Sequence, residues 1–355
     1  MRLPSRVEAA FAGAVVVAAI SCADSTSPPP GNSPTTPPPS GAGVVLLEDF
    51  SARQVFPANN WWNLDISSAS VDPNSQRIID WISGRTAQNP NATRRLHPDF
   101  GPPPYGIPYI GVGADQSLTQ ITFVLYGSES DAGAPGRPTG YPIPNEARTQ
   151  PNHIEGAVVG GGSDGDRHLI LIDRDRWLLY ETWATRWNSG MARWEAGSGA
   201  VFNLASNARR TDGWTSADAA GLAVFPGLVR RDEVVAATPI RHAFRVTTRA
   251  TNGYVWPASH RAGSTTGAPP LGARLRLRAS RDISGYPPDV RKIFQAMKTY
   301  GLIVADNGSD MYITGTMDPA WSNDILNPAF HSLTADDFEV ISLGWGATAA
   351  VLREK

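Results

Sequence analysis

A single cysteine, Cys22, stands among 355 residues, so no disulfide can staple the fold and no thiol pair can ligate a metal. The six histidines are scattered without metal-ligand spacing, and the acidic runs Asp173–Asp175 and Asp306–Asp310 miss the calcium-loop pattern. No metal and no cofactor are therefore expected. Nucleophile and phosphate signatures are missing too: there is no GxSxG elbow, no phosphate-loop lysine motif and no HExxH. Gly160–Gly165, GGGSDG, is glycine-rich, but it precedes a strand instead of opening a helix and reads as a surface loop. Charge is also sparse. Lys+Arg 31 against Asp+Glu 33 leaves −2, which gives nucleic acid and anionic membranes no electrostatic footing.

What the chain does have is turn-forming residues and β-formers. Gly 34 and Pro 30 accompany frequent runs of Val, Ile, Thr, Phe and Trp, a composition that favours a β-rich domain with many turns. Its N-terminus reads as a secretory signal: Arg2 and Arg6 precede the apolar run Ala9–Ile20, which is too short for a comfortable membrane span. The run ends in Ala19-Ile20-Ser21-Cys22, which resembles the lipobox of bacterial lipoproteins, with Ala19 where leucine is usual. The resemblance implies a lipid on Cys22 as the only membrane contact, and an extracytoplasmic location at the outer membrane or cell surface. A Ser/Thr/Pro/Gly tract up to Gly43 has too little apolar content to fold and reads as an extended tether. The expected organisation is a signal over 1–22, a tether over 23–43 and one β-rich domain over 44–355.

Within that domain, strands are predicted at Tyr109–Val112, Ile121–Tyr126, His168–Asp173, Arg176–Trp183, Ala200–Leu204, Arg241–Thr248 and Arg274–Arg278. Asn252-Gly253 and Asn307-Gly308 predict type I′ hairpins, the second pairing Leu302–Asp306 with Ser309–Ile313. Apolar spacing of 3.6 marks one clear helix, Pro287–Tyr300, with Val290, Ile293, Phe294 and Met297 on one face. Shorter helices are expected from Asp72 to Ile82 and over Thr215–Ala220. Many short strands and few helices point to a mainly β, single β-sandwich or jelly-roll-like domain, with α+β as the alternative.

The chemistry is sought first in the hairpin His168–Trp183. A two-residue turn at Arg174-Asp175 would set His168 opposite Glu181, on one face with Ile170, Ile172, Trp177 and Leu179. With Asp166 two residues upstream, this forms an acid/base candidate, since a carboxylate beside an imidazole sets its tautomer and raises its basicity. A structural ion pair at a strand end is the plainer reading. Asp218 and Glu233 are further catalytic candidates, because glycoside hydrolysis needs paired carboxylates across a cleft; Asp218 also suits the first turn of a helix. For substrate binding, Trp256 and His260 near a sheet end, with Tyr254, Trp61 and Trp62, could stack on sugar rings, although most tryptophans are core. Arg167 could face a substrate carboxylate.

Five stretches carry a wider resemblance: GDRH (Gly165–His168), SGAVFNLASN (Ser198–Asn207), GWTSADAAGL (Gly213–Leu222), YVWPASH (Tyr254–His260) and ADNGS (Ala305–Ser309). In these the chain resembles a family of secreted bacterial proteins and lipoproteins without assigned catalytic residues, which implies secretion and one compact domain. The expected function is a surface-anchored carbohydrate-active enzyme, a glycoside hydrolase acting on a polysaccharide or oligosaccharide. The alternatives are a polysaccharide lyase, with Tyr254 or His260 as base and Arg167 neutralising a uronate, and a non-catalytic glycan- or protein-binding envelope lipoprotein.

Overall fold

The structure is a computed structural model, and it describes residues 43–132 and 137–347. The expected signal segment and the tether before Gly43 lie outside the described residues. The fold is mainly β with a few short helices. A five-stranded sheet runs in the order Val45–Leu46, Tyr109–Val112, Leu169–Asp173, Leu178–Trp183, Ser198–Asn203. A six-stranded sheet runs Phe338–Val340, Arg274–Leu277, Leu302–Asn307, Phe244–Thr248, Tyr312–Thr314, His97–Asp99. A small three-stranded sheet joins Ile121–Phe123, Arg193–Ala196 and Arg186–Asn188.

The five-stranded sheet is buried on both faces, which explains the unbroken apolar run Leu169–Ile172. Ile170, Ile172, Leu179, Ala200 and Phe202 enter the main core, whereas Leu169, Leu171 and Tyr180 enter a second one with Ile110, Val112, Tyr141 and Trp194. The main core also takes Phe244, Val246, Leu302–Ala305 and Ile313 from the six-stranded sheet. One apolar body therefore connects the two large sheets. Among the described residues no helix is long and apolar enough to cross a membrane.

Helices follow their apolar spacing. Pro288–Thr299 buries Val290, Ile293, Phe294 and Met297. It stops before Gly301, at φ 75°, where a Cβ would meet the Leu275 carbonyl oxygen at 2.4 Å. Ser75–Ser83 buries Ile78, Ile79 and Ile82 and ends at Gly84, also left-handed.

Three local expectations are corrected. Thr215–Ala220 is irregular, because Ser216 Oγ accepts the Asp218 amide and donates to backbone carbonyls, turn bonding that competes with a helix. Asn252-Gly253 does not close a hairpin: Asn252 bridges Ser264 and Tyr254 bridges Leu271. Leu302–Asn307 does not pair with Tyr312–Thr314 either. Phe244–Thr248 lies between them, parallel to the first and antiparallel to the second. Four of the eleven strand pairings among the described residues are parallel.

Candidate functional site

The central hairpin has a longer turn than the sequence suggests. Asp173 pairs with Leu178 and Ile170 with Glu181, so His168 does not stand opposite Glu181. The cause is the Asp173 carboxylate, which accepts the amides of Asp175 (3.1 Å) and Arg176 (2.8 Å) and closes a four-residue turn. The slip is two residues, an even number, so Ile170, Ile172, Leu179 and Glu181 still share one face.

His168, Glu181 and Asp218 are nevertheless gathered, by the segment Gly213–Gly227, and all three are buried. His168 Nδ1 lies 2.6 Å from Glu155 Oε2 and Nε2 lies 3.0 Å from the Ala217 carbonyl oxygen. Both neighbours can only accept, so the ring carries both protons. Burial alone would lower its pKa; the Glu155 carboxylate outweighs burial and holds it at about 9. Glu181 accepts the amides of Val224 (2.8 Å) and Phe225 (2.7 Å), and burial pushes it up to about 7 against those bonds. Asp218 receives Arg245 Nη2 at 2.8 Å. These groups are satisfied internally, and a polymer chain cannot reach them. Their role is to lock the segment to both sheets.

A pH dependence of stability follows. The folded value of His168 lies above its ordinary 6.5, so its stabilisation is complete below about pH 6.5 and is lost as pH rises to about 9. The amount is about 3 kcal/mol. Denaturant unfolding should show this fall, and Glu155→Gln should flatten it; an unchanged slope in that variant would assign it elsewhere.

Beside this floor stand Asp99, Asp166 and Asp306, three carboxylates that solvent reaches and that are together termed the acidic cleft. Asp306 and Asp99 are pushed up by burial, to about 7 and about 6, yet Asp306 is 28 % exposed and Asp99 is exposed. Asp306 faces the cleft because of a bulge. Val246 pairs with Val304 but Thr247 pairs with Asp306, so Ala305 is one residue extra. That residue turns the Asp306 side chain onto the face of Arg245, whose Nη2 is 3.7 Å away. Asp99 pairs with Thr314, whose hydroxyl receives Arg245 Nη1 at 2.7 Å. The Asp99 and Asp306 strands are three spacings apart, roughly 14 Å between backbones, so these two do not form a pair by themselves. The charge of Asp166 raises both of them, which places Asp166 within electrostatic reach of each. Glu155, bonded to His168, also raises Asp99.

Asp166 is exposed and accepts the indole N–H of Trp183 at 3.0 Å. Trp183 presses against Gly197, where a Cβ would meet its ring at 2.5 Å, and Tyr126 lies 6.4 Å from it. With Val124 and Leu125 exposed beside Tyr126, this forms an aromatic and apolar rim running from a cleft carboxylate. His260 donates from Nδ1 to the Ala219 carbonyl (2.8 Å), which in the neutral ring leaves the lone pair on Nε2.

The other sequence candidates lie elsewhere or serve packing. Arg167 Nη1 donates to the carbonyls of Ser163 (2.8 Å) and Gly165 (2.7 Å), so it shapes the glycine loop. Glu233 is tied to Arg230 (2.9 Å) and His242 (2.8 Å), which outweigh burial and hold it at about 2, away from the cleft groups. Trp61 and Trp62 are core residues, 5 % and 0 % exposed, because the indoles fill apolar volume. Trp256 packs edge-on to Trp61 at 6.2 Å. Tyr254 is exposed, and no cleft carboxylate bonds it. Asp99, Glu155 and Asp306 were not anticipated as site residues. Among the described residues no group of three or more His, Cys, Asp or Glu side chains is arranged to hold a metal ion.

The five stretches quoted for the resemblance meet at this place. GWTSADAAGL is the hub. Its Ala217 carbonyl takes His168 of GDRH, and its Ser216 carbonyl takes the Ser198 hydroxyl of SGAVFNLASN. The Ala220 carbonyl takes the Ser259 amide of YVWPASH, and the Ala220 amide donates to the Ala305 carbonyl of ADNGS. Comparison with protein-family models, curated proteins and solved structures finds no match.

Proposed function

We propose that the protein is a glycoside hydrolase working at the cleft of Asp99, Asp166 and Asp306. The observation that carries this reading is the solvent-reached Asp306 carboxyl, protonated up to about pH 7, with the exposed carboxylate of Asp166 in electrostatic reach. Hydrolysis of a glycosidic bond needs a carboxylic acid that still holds its proton at working pH and a second carboxylate as base or nucleophile. Asp306 is the donor in this scheme, being the higher of the two raised groups, and Asp166 is the partner. Asp99 adds negative potential that favours the positively charged sugar ring of the transition state.

The substrate is a neutral glycan. Arg245 is committed to Asp218 and Arg167 to carbonyls, so neither can neutralise a uronate as a lyase would require. Trp183 and Tyr126 supply flat faces for sugar rings. Lipid attachment at Cys22 and the tether would hold this cleft at a cell surface.

The test is turnover of a panel of neutral polysaccharides by the domain, read by reducing ends and by ultraviolet absorbance. New reducing ends without absorbance are expected, and no product on any substrate sinks the hydrolase reading. Trp183→Ala should raise KM roughly tenfold with kcat little changed; an unaltered KM would show that the rim does not touch substrate.

A further inference from the structure

A groove of about 780 Å³ opens along the Pro288–Thr299 helix and shares no residue with the cleft. Its charge is one-sided. Arg241, Arg281, Arg291, Lys292 and Lys298 line it, with Asp282 the only carboxylate among the lining residues, in a chain whose net charge is −2; of the five cations, Arg281 is paired with Asp337 at 3.4 Å outside the lining. Asp282 is turned toward its own loop, where it accepts the Ser284 amide and hydroxyl at 2.9 and 3.0 Å. The two lysines donate to backbone carbonyls and to no carboxylate. Lys292 Nζ donates to the carbonyls of Glu233 (2.6 Å) and Ala236 (2.6 Å), and Lys298 Nζ donates to that of Ala279 (3.0 Å). Carbonyl oxygens orient an ammonium group without cancelling its charge, although Asp289 and Glu233 lie within electrostatic reach of Lys292. Arg241 and Arg291 are exposed, and among the described residues neither has a side-chain hydrogen bond or an ion pair.

We infer that this groove is a docking site for an acidic carbohydrate polymer, bound through its carboxylates and separate from the catalytic cleft. Guanidinium forks match carboxylates in a bidentate way. Ser280, Ser284, Gln295 and Thr299 add hydrogen-bonding groups suited to sugar hydroxyls. Tyr300 is the only aromatic ring in the lining, whereas single-stranded nucleic acid is held on stacking platforms. The concave shape does not suit a lipid surface, and the volume falls within the range of about 300–1,000 Å³ usual for ligand sites. The protein would thus rest on an acidic matrix polymer while its cleft works on a neutral one. This follows from the groove alone and does not depend on the hydrolase reading.

The test is binding of polygalacturonate, followed by affinity electrophoresis and calorimetry at low and high salt. The parent chain should bind and weaken with salt, and Arg241→Ser with Arg291→Ser should lose roughly tenfold in affinity. Those two side chains hold nothing else, so the unfolding midpoint and any cleft turnover should stay unchanged. Absence of binding by the parent, or undiminished binding by the double variant, would overturn the inference. Equal affinity for DNA or polyphosphate would overturn the carbohydrate assignment. Loss of polygalacturonate binding in Asp306→Asn would move the site to the cleft and overturn it as well.

Discussion

Asp306→Asn should lower kcat by about 10²–10⁴-fold, the usual contribution of a general acid, with stability nearly unchanged. The substitution is isosteric, and the amide oxygen can still accept the Asn307 amide that Asp306 receives at 2.7 Å. The proton is lost, and so is the charge that faces Arg245 Nη2 at 3.7 Å once the carboxyl ionises. Burial, and then the neighbouring Asp218, push this carboxyl up to about 7, with Arg245 opposing them. As the acid, Asp306 must be protonated, so activity should fall as pH rises through about 7. In Asp306→Asn that alkaline limb should disappear from the residual rate, and a substrate with a better leaving group, which needs less protonation, should recover part of it. Full activity in the variant, or an alkaline limb that persists unchanged, would remove Asp306 from the chemistry. Asp99→Asn should be milder, because its carboxylate acts through the field and not on the bond.

Asp218→Ala should have the largest effect on stability, about 3–5 kcal/mol by denaturant unfolding. Asp218 is 1 % exposed and Arg245 4 % exposed, and Arg245 Nη2 bonds Asp218 at 2.8 Å. Removing the anion leaves a guanidinium in the core with Thr314 and the more distant Asp306 as its remaining partners. Burial of an unpaired charge is what makes the loss large; the pair itself contributes far less than that figure. Adding Arg245→Met removes the stranded charge and should return most of the lost stability. If Asp218→Ala costs less than about 1 kcal/mol, the pair does not organise the segment.

Parts of this arrangement were legible from sequence, for physical reasons. Helix spacing marked Val290, Ile293, Phe294 and Met297 as one buried face, because that signal is local. The shared face of Ile170, Ile172, Leu179 and Glu181 survived an error in the turn because the slip was even. Non-local pairing was not legible: nothing within Leu302–Ile313 announces that Phe244–Thr248 will insert between its two halves. The cleft residues were hidden by the same limit. Asp99 lies in a proline-rich run that reads as a loop, and Asp306 beside Asn307-Gly308 reads as turn chemistry. Glu155 had no motif around it. Trp61 and Trp62 sit among amides in sequence, but packing from distant elements covers them. Of the adjacent candidates Asp166 and His168, the structure buries the imidazole and leaves the carboxylate exposed.

The extra residue at Ala305 sets the parity of its strand. Side chains alternate strictly, so one added residue exchanges the inward and outward series beyond it, and Asp306 points into the cleft only in the shifted series. A chain with Ala305 deleted would lose the bulge and yet keep Asp306 opposite Thr247, on the face of Arg245. The side on which Asp306 stands is therefore specified by its pairing with Thr247 in the neighbouring strand, a property of the backbone register that substitutions of side chains leave untouched.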